Sequence, residues 1–195
     1  DKDGFLWIGT SNGLNRFNPE KEQFTRFYHK LTDSTSISSN FVRDIYEDHL
    51  GYLWIGTQTG GLNRFNPMGM GGVFERYPVK GRNVSCIYED HEGILWIGTV
   101  RGELYKLNVK NGEFTHFSNN LAEKIKLKEN SVWFIKEGRN SALIIGMSAG
   151  LYRFDKNTGI FAPFLPAFEN LGSFRNNEFH CLLEETSGFL WLGTY

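Results

Sequence analysis

Apolar and polar residues alternate at strand spacing along this chain, in runs of four to six residues: "VRDIYE" from Val42, "LWIGT" from Leu53, "GLNRF" from Gly61 and "FERY" from Phe74. The series then repeats, as "VSCIYE" from Val84, "LWIGT" from Leu95, "ELYKLN" from Glu103 and "FTHF" from Phe114. It returns again as "VWFIKE" from Val132, "LIIGM" from Leu143, "GLYRF" from Gly150 and "FAPF" from Phe161. Partial copies stand at the two ends: "LWIGT", "GLNRF" and "FTRF" between Leu6 and Phe27, and "FHCLLE" with "LWLGT" from Phe179 onward. Helical repeats need long glycine-free segments with apolar residues at i, i+3, i+4 and i+7, and 22 glycines interrupt any such reading. The stretch "NNLAEKIKLKEN" from Asn119 is expected to be a long loop rather than a helix.

Taking the tryptophan of each "LWIGT" as a marker gives Trp7, Trp54, Trp96 and Trp191, with Ile144 in the corresponding place of "LIIGM"; the spacings are 47, 42, 48 and 47 residues. A period in the forties made of short strands and tight turns predicts one four-stranded antiparallel blade per repeat. The expected fold is therefore all-β, a partial β-propeller of about four blades forming one domain over residues 1–195. Five copies of the second strand with four complete intervals do not close a ring, so sheet edges are expected to remain. The sequence starts and stops inside copies of the repeat, which predicts a piece of a longer protein and a larger ring.

Strand geometry explains the residue types within the motif. Trp54 shares a face with Gly56, while Leu53, Ile55 and Thr57 share the other. A glycine two residues after the indole leaves room for the indole or for a neighbouring sheet, and both faces are apolar because each blade lies between two others. Trp54 and Trp96 are thus expected to be buried packing residues.

Composition narrows the partners. The 195 residues are 40% hydrophobic and 15% aromatic, ample for a core, and 21 Lys and Arg against 22 Asp and Glu leave a net charge of -1. With no basic stripe, nucleic acid is not an expected partner. No apolar run approaches the roughly 20 residues that span a bilayer, so this piece is expected to make no membrane contact.

"EDHLGYLWIGTQTGGLNRFNP" and "EDHEGILWIGTVRGELYKLN", each with a "V-x-x-I-Y-E-D" lead-in, resemble the two-component regulator propeller repeat. The copy at Ile144 lacks the Trp and the Thr, and the copy at Phe179 has Glu184-Glu185 for Glu-Asp. The resemblance implies the periplasmic sensor region of a hybrid two-component histidine kinase from a polysaccharide-degrading bacterium. It further implies a ring of about seven blades, with a second propeller, an immunoglobulin-like domain, a membrane helix and kinase domains elsewhere in the protein. The implied ligand is an oligosaccharide released from a complex glycan, and the implied assembly is a homodimer that signals from the periplasm across the inner membrane. A protein-interaction scaffold and a propeller lyase or hydrolase are the alternatives.

The residues give no support to catalysis or to a cofactor. His49 and His91 occupy the same turn of consecutive repeats, where outward-pointing side chains cannot share a metal ion, so both are read as solvated. "DKDG" at the N-terminus lacks the rest of a calcium loop, and no Ser/His/Asp or Cys/His set is present. Cys86 and Cys181 each precede a marker by ten residues, in repeats that are not neighbours, and are expected to be free, buried thiols.

A ligand that is not itself repetitive must be read by residues that differ between repeats. The connections between repeats vary: "HKLTDSTSISSN", "PVKGRN", "SNNLAEKIKLKEN" and "LPAFENLGSFRNN". So do the turns between second and third strands, which carry Gln58 and Arg101. Eleven residues before each marker, at the start of the first strand, stand Arg43, Ser85, Trp133 and His180. An aromatic face for sugar C–H groups beside planar polar side chains suits a saccharide. The candidate binding residues are Arg43, Gln58, Arg101, Trp133 and His180. The competing role for Trp133 is to fill the space left by the missing indole at Ile144.

Overall fold

A computed structural model describes residues 1–69, 72–79, 83–117, 130–138, 141–164, 178–185 and 189–194. Among these residues the protein is built of strands joined by turns, in five antiparallel sheets. The first holds β1 (Leu6–Thr10), β2 (Gly13–Asn18) and β3 (Gln23–Phe27). The second holds β4 (Val42–Glu47), β5 (Leu53–Thr57), β6 (Gly61–Phe65) and β7 (Phe74–Tyr77). The third is β8 (Val84–Glu89), β9 (Ile94–Thr99), β10 (Leu104–Asn108) and β11 (Phe114–Phe117). The fourth is β12 (Val132–Glu137), β13 (Leu143–Met147), β14 (Gly150–Asp155) and β15 (Ile160–Pro163). The fifth pairs β16 (Phe179–Glu184) with β17 (Leu190–Thr194). Strand order follows chain order in every sheet, which is the meander expected of propeller blades. The stretch from Asn119, expected to be a loop, lies outside the described residues apart from its last residue, Asn130.

The chain divides into two compact units, Asp1–Ile87 and Tyr88–Tyr195. In the first, Leu14, Ile37, Val42, Leu53, Ile55, Phe65 and Phe74 form one buried cluster, with Trp7, Phe27 and Ile45 packed against it. In the second, Ile144, Leu151 and Phe179 are buried together, flanked by Phe134, Phe164, Leu182 and Leu192.

Every residue of β5 is buried, and Trp54 and Trp96 are 0% exposed. The glycines after Trp7 and Trp54 make room for the first-strand valine of the next repeat. A Cβ on Gly9 would stand 2.6 Å from Val42 Cγ1, and one on Gly56 2.6 Å from Val84 Cγ1. Both are closer than real Cβ contacts come, so glycine at this place sets how near two sheets can stack.

Each buried indole is also locked by an acid six residues earlier, a contact the sequence reading missed. Trp54 Nε1 donates to Asp48 Oδ2 at 2.8 Å, while Asp48 Oδ1 accepts the amides of Leu50 and Tyr52, both at 2.9 Å. Trp96 and Asp90 repeat this: Nε1 to Oδ2 at 2.8 Å, with Oδ1 taking the amides of Glu92 and Ile94 at 3.0 Å. Trp7 with Asp1 and Trp191 with Glu185 make the same bond, at 2.5 and 2.6 Å. In the fourth sheet Gly138 stands where the acid would be and Ile144 where the indole would be. The two partners are absent together because either alone would leave a polar group without its mate. A cation lies over the ring of each buried indole: Arg64 Cζ is 5.8 Å from the Trp54 ring centre and Lys106 Nζ 5.9 Å from that of Trp96.

One expectation requires correction. Cys86 is buried, but Cys181 is exposed. Cys181 lies in the two-stranded fifth sheet, where Trp191 is also 62% exposed, whereas Cys86 lies in a complete four-stranded sheet. Equivalent positions in a repeat share burial only where the same neighbours cover them.

Candidate functional site

Three of the candidate residues share a structural device. In the pairing of β4 with β5 the register shifts between Val42 and Asp44, which places Arg43 in a β-bulge. The same shift in the fourth sheet falls between Val132 and Phe134, at Trp133, and in the fifth between Phe179 and Cys181, at His180. A bulged residue is extra to the ladder and its side chain is released from the in-out alternation, which is how bulges re-aim side chains next to binding sites. The sequence carried a signal for this. Val42 and Ile45 pack in one cluster although a spacing of three would put them on opposite faces of a flat strand, and the same spacing recurs in Val84/Ile87, Val132/Ile135 and Phe179/Leu182.

The start of each first strand lies beside the turn between second and third strands. The Gln58 amide donates to the Phe41 carbonyl at 3.0 Å, and the Ser148 amide to the Ser131 carbonyl at 3.1 Å. Bulge and turn thus present their side chains at the same end of the sheet. In the first unit this end carries exposed Arg43, whose guanidinium carbon lies 5.4 Å from the Phe41 ring centre, and half-buried Gln58.

In the second unit Trp133 and His180 stack, with ring centres 4.5 Å apart and planes at 29°. Trp133 Nε1 donates to Ser148 Oγ at 3.1 Å, which fixes the indole against the β13–β14 turn. Asn130 Oδ1 accepts the Ala149 amide at 2.6 Å in the same turn. Arg101 is exposed in the β9–β10 turn, next to Val100, whose carbonyl accepts the Ser131 hydroxyl at 3.0 Å. Trp133 and His180 are therefore brought into contact, and Arg101 belongs to a turn tied to the start of the same strand. Arg43 and Gln58 form a separate pair in the first unit.

Trp133 does not fill the gap at Ile144. That space is taken by Phe134, which packs with Ile144 and lies where a Cβ on Gly146 would fall. The bulge turns Trp133 away from the core and leaves it half-buried.

At the far end of the second unit's sheets a lysine gathers the acidic turns. Lys156 Nζ lies 3.0 Å from Asp90 Oδ2, 3.1 Å from Glu92 Oε2 and 2.8 Å from Glu137 Oε1. Burial favours the neutral amine, but hydrogen bonds to Glu137, Asp90 and Glu92 outweigh it and hold the ammonium well above the usual lysine range. Burial likewise opposes ionisation of Asp90, yet bonds from Trp96, Lys156 and the Ile94 amide keep its carboxyl below the usual range. His91 Nδ1 lies 2.7 Å from Glu137 Oε1, with its side chain 59% exposed. Among the described residues no group of three or more His, Cys, Asp or Glu side chains could hold a metal ion. No described helix is long and apolar enough to cross a membrane.

The sequence pattern of the family called two component regulator propeller matches residues 36–59 and 78–101. Those two stretches are two-component regulator propeller repeats. The fold is similar to part of the extracellular domains of two B. thetaiotaomicron proteins described as hybrid two-component systems. That of BT3049 is 27% identical with a TM-score of 0.79 over 100% of this chain, and that of BT4673 is 25% identical with a TM-score of 0.78 over 97%. The chain spans about a quarter of each, 26% and 24%. Virginiamycin B lyase from Staphylococcus aureus, 17% identical with a TM-score of 0.68, covers 98% of this chain, which spans 60% of the lyase; this likeness is one of propeller fold alone. No curated protein matches the chain.

Proposed function

We propose that this chain is part of the ligand-sensing propeller of a hybrid two-component sensor kinase, located in the periplasm and binding oligosaccharides derived from glycans. The observation that carries the reading is the Trp133–His180 stack. It is an aromatic platform built at two bulges, half-open, in a frame whose other indoles are locked to acids. A sugar ring lays its C–H patch on such a platform while neighbouring polar groups bond its hydroxyls. Ser148 and Arg101 supply those groups in the second unit, and Arg43 and Gln58 offer a second polar set in the first. The protein acts by binding, and occupancy alters the geometry of a homodimer that relays the signal across the inner membrane.

Calorimetric titration with a panel of glycan-derived oligosaccharides tests this. One member should bind, and Trp133→Ala should abolish or sharply weaken that binding. Failure of every member to bind would favour a protein-interaction scaffold. Conversion of an oligosaccharide to products on long incubation would favour a propeller lyase or hydrolase.

A further inference from the structure

The longest described connection between sheets, running from Tyr28 to Phe41, is pinned to the second sheet at many points. The His29 amide donates to Asn40 Oδ1 at 2.7 Å, and His29 Nδ1 lies 2.8 Å from the Ile37 carbonyl. Ser36 Oγ donates to the Asp33 carbonyl at 2.7 Å and accepts the Lys30 amide at 3.0 Å. Ile37 is fully buried and serves as the anchor. Buried Asn63, on β6, receives the Ser38 amide at 2.9 Å and donates to Ser38 Oγ at 2.8 Å. Arg76, on β7, donates through Nη2 to the carbonyls of Ser36 and Asp33, at 3.0 and 3.2 Å. Thr59 Oγ1 donates to Ser39 Oγ at 2.9 Å, and a Cβ on the adjacent Gly60 would fall 2.6 Å from Ser38 Cβ.

A long polar connection held this tightly has lost the freedom that loops of its composition usually keep, and a shape fixed before binding lowers the entropic cost of a ligand. The shape it fixes is a cleft of about 550 Å³ between the loop, the β5–β6 turn and the end of β7. That volume falls in the roughly 300–1,000 Å³ range of small-ligand sites. Its polar wall is His29, Ser38, Thr59, Arg76 and Tyr77, and its apolar wall is Pro78 and Val79, with Leu31 at the rim. No carboxylate lines it among the described residues, so the Arg76 charge is unopposed there. The nearest acid of the loop, Asp33, is engaged instead with the Thr35 hydroxyl and amide, which lower its pKa.

We infer that this cleft is a binding site for an anionic saccharide, a sugar unit bearing a carboxylate or a sulfate ester. Arg76 faces the anion, the hydroxyls of Ser38 and Thr59 and the His29 imidazole bond the ring hydroxyls, and Pro78 and Val79 receive the C–H face. The inference rests on the proposed oligosaccharide-sensing function and adds to it a second site, in the first unit, with a charge preference that the Trp133 platform does not impose.

The test titrates the protein containing this chain with digalacturonate, with a 6-sulfated chondroitin disaccharide and with neutral cellobiose, in wild type and three variants. Thr59→Phe fills the cleft from an exposed turn; it gives up the bond to Ser39 but keeps the Ile37, Asn63 and Arg76 anchors of the loop. Arg76→Gln removes the charge, and Trp133→Ala serves as the control. One or both anionic probes should bind wild type and lose about tenfold or more in affinity in Thr59→Phe and in Arg76→Gln, while Trp133→Ala leaves them unchanged. Which anion binds tells carboxylate from sulfate. Absence of anionic binding to wild type overturns the inference, as does anionic binding that Thr59→Phe leaves unchanged, even where Arg76→Gln weakens it by loosening the loop. Neutral oligosaccharide binding that depends on Trp133 would uphold the proposed function while this site falls, so the two are separable.

Discussion

Trp96 and Trp133 belong to the same unit and use the same side chain for opposite ends. Trp96 is 0% exposed, bonded to Asp90, and packed against Phe117 and Phe154 with ring centres 5.9 and 5.6 Å away. Trp133 stands in a bulge, bonded to a serine hydroxyl and stacked on His180 with solvent beside it. Tryptophan stands at the first position in four of five repeats and at the second in one of four. A side chain that recurs answers a packing problem common to every sheet, and one that departs from the repeat at a re-aimed position is available for recognition.

Removing the two indoles should therefore have unlike consequences. The largest expected effect is on stability: Trp96→Ala should cost about 3–5 kcal/mol by leaving an indole-sized cavity between sheets. Thermal unfolding checks it, and a loss no greater than that of Trp133→Ala would break the comparison. Asp90→Ala comes next, at about 2–4 kcal/mol, because it leaves the Trp96 N–H, two turn amides and the Lys156 ammonium without their shared acceptor. The variant's melting temperature, compared with that of Glu92→Ala on the exposed side of the same lysine, isolates the buried bond.

The same cluster sets a pH dependence. The Asp90 carboxyl is held below its usual range, and so is that of Glu137, where burial is outweighed by bonds from Lys156 and the His91 amide. Acids depressed in the folded state add stability above their unfolded pKa, and that stability is lost as pH falls through the folded value. Lys156, held above its usual range, adds stability that is full below the ordinary lysine pKa and is lost as pH rises through the raised value. Unfolding followed across pH should show both losses, and Lys156→Met should flatten the alkaline one. A smaller effect is expected from Gly56→Ala, about 1–3 kcal/mol, since the added methyl overlaps the Val84 side chain, which must shift.

The sheets were readable in the sequence because strand alternation, turn glycines and the Trp-x-Gly pair state the packing rule of a blade several times over. The acid–indole lock was written there too, as an acid six residues before each tryptophan that vanishes with it at Gly138 and Ile144. It was missed because an acid in a hairpin turn reads as a solvated residue until its partner is seen. The bulges were signalled by the spacing of Val42 and Ile45, against the alternation that a plain strand requires. The cleft under the Tyr28–Phe41 connection was not readable, since it depends on Asn63 and Arg76 reaching back to Ser36 and Ser38 across a long sequence separation. The burial of Cys181 was misread because equivalence in a repeat was taken to imply equivalent neighbours.

In the proposed division of labour, repeated positions hold the fold and unrepeated ones at the bulges read the ligand. Trp133→Ala tests it most directly when melting temperature and oligosaccharide affinity are measured on the same sample. The expected result is a melting temperature close to wild type, with a stability change of about 1 kcal/mol or less for a half-exposed side chain, and a loss of oligosaccharide affinity of about tenfold or more. Unchanged affinity, or a drop in melting temperature like that of Trp96→Ala, would place Trp133 among the packing residues and contradict that division of labour.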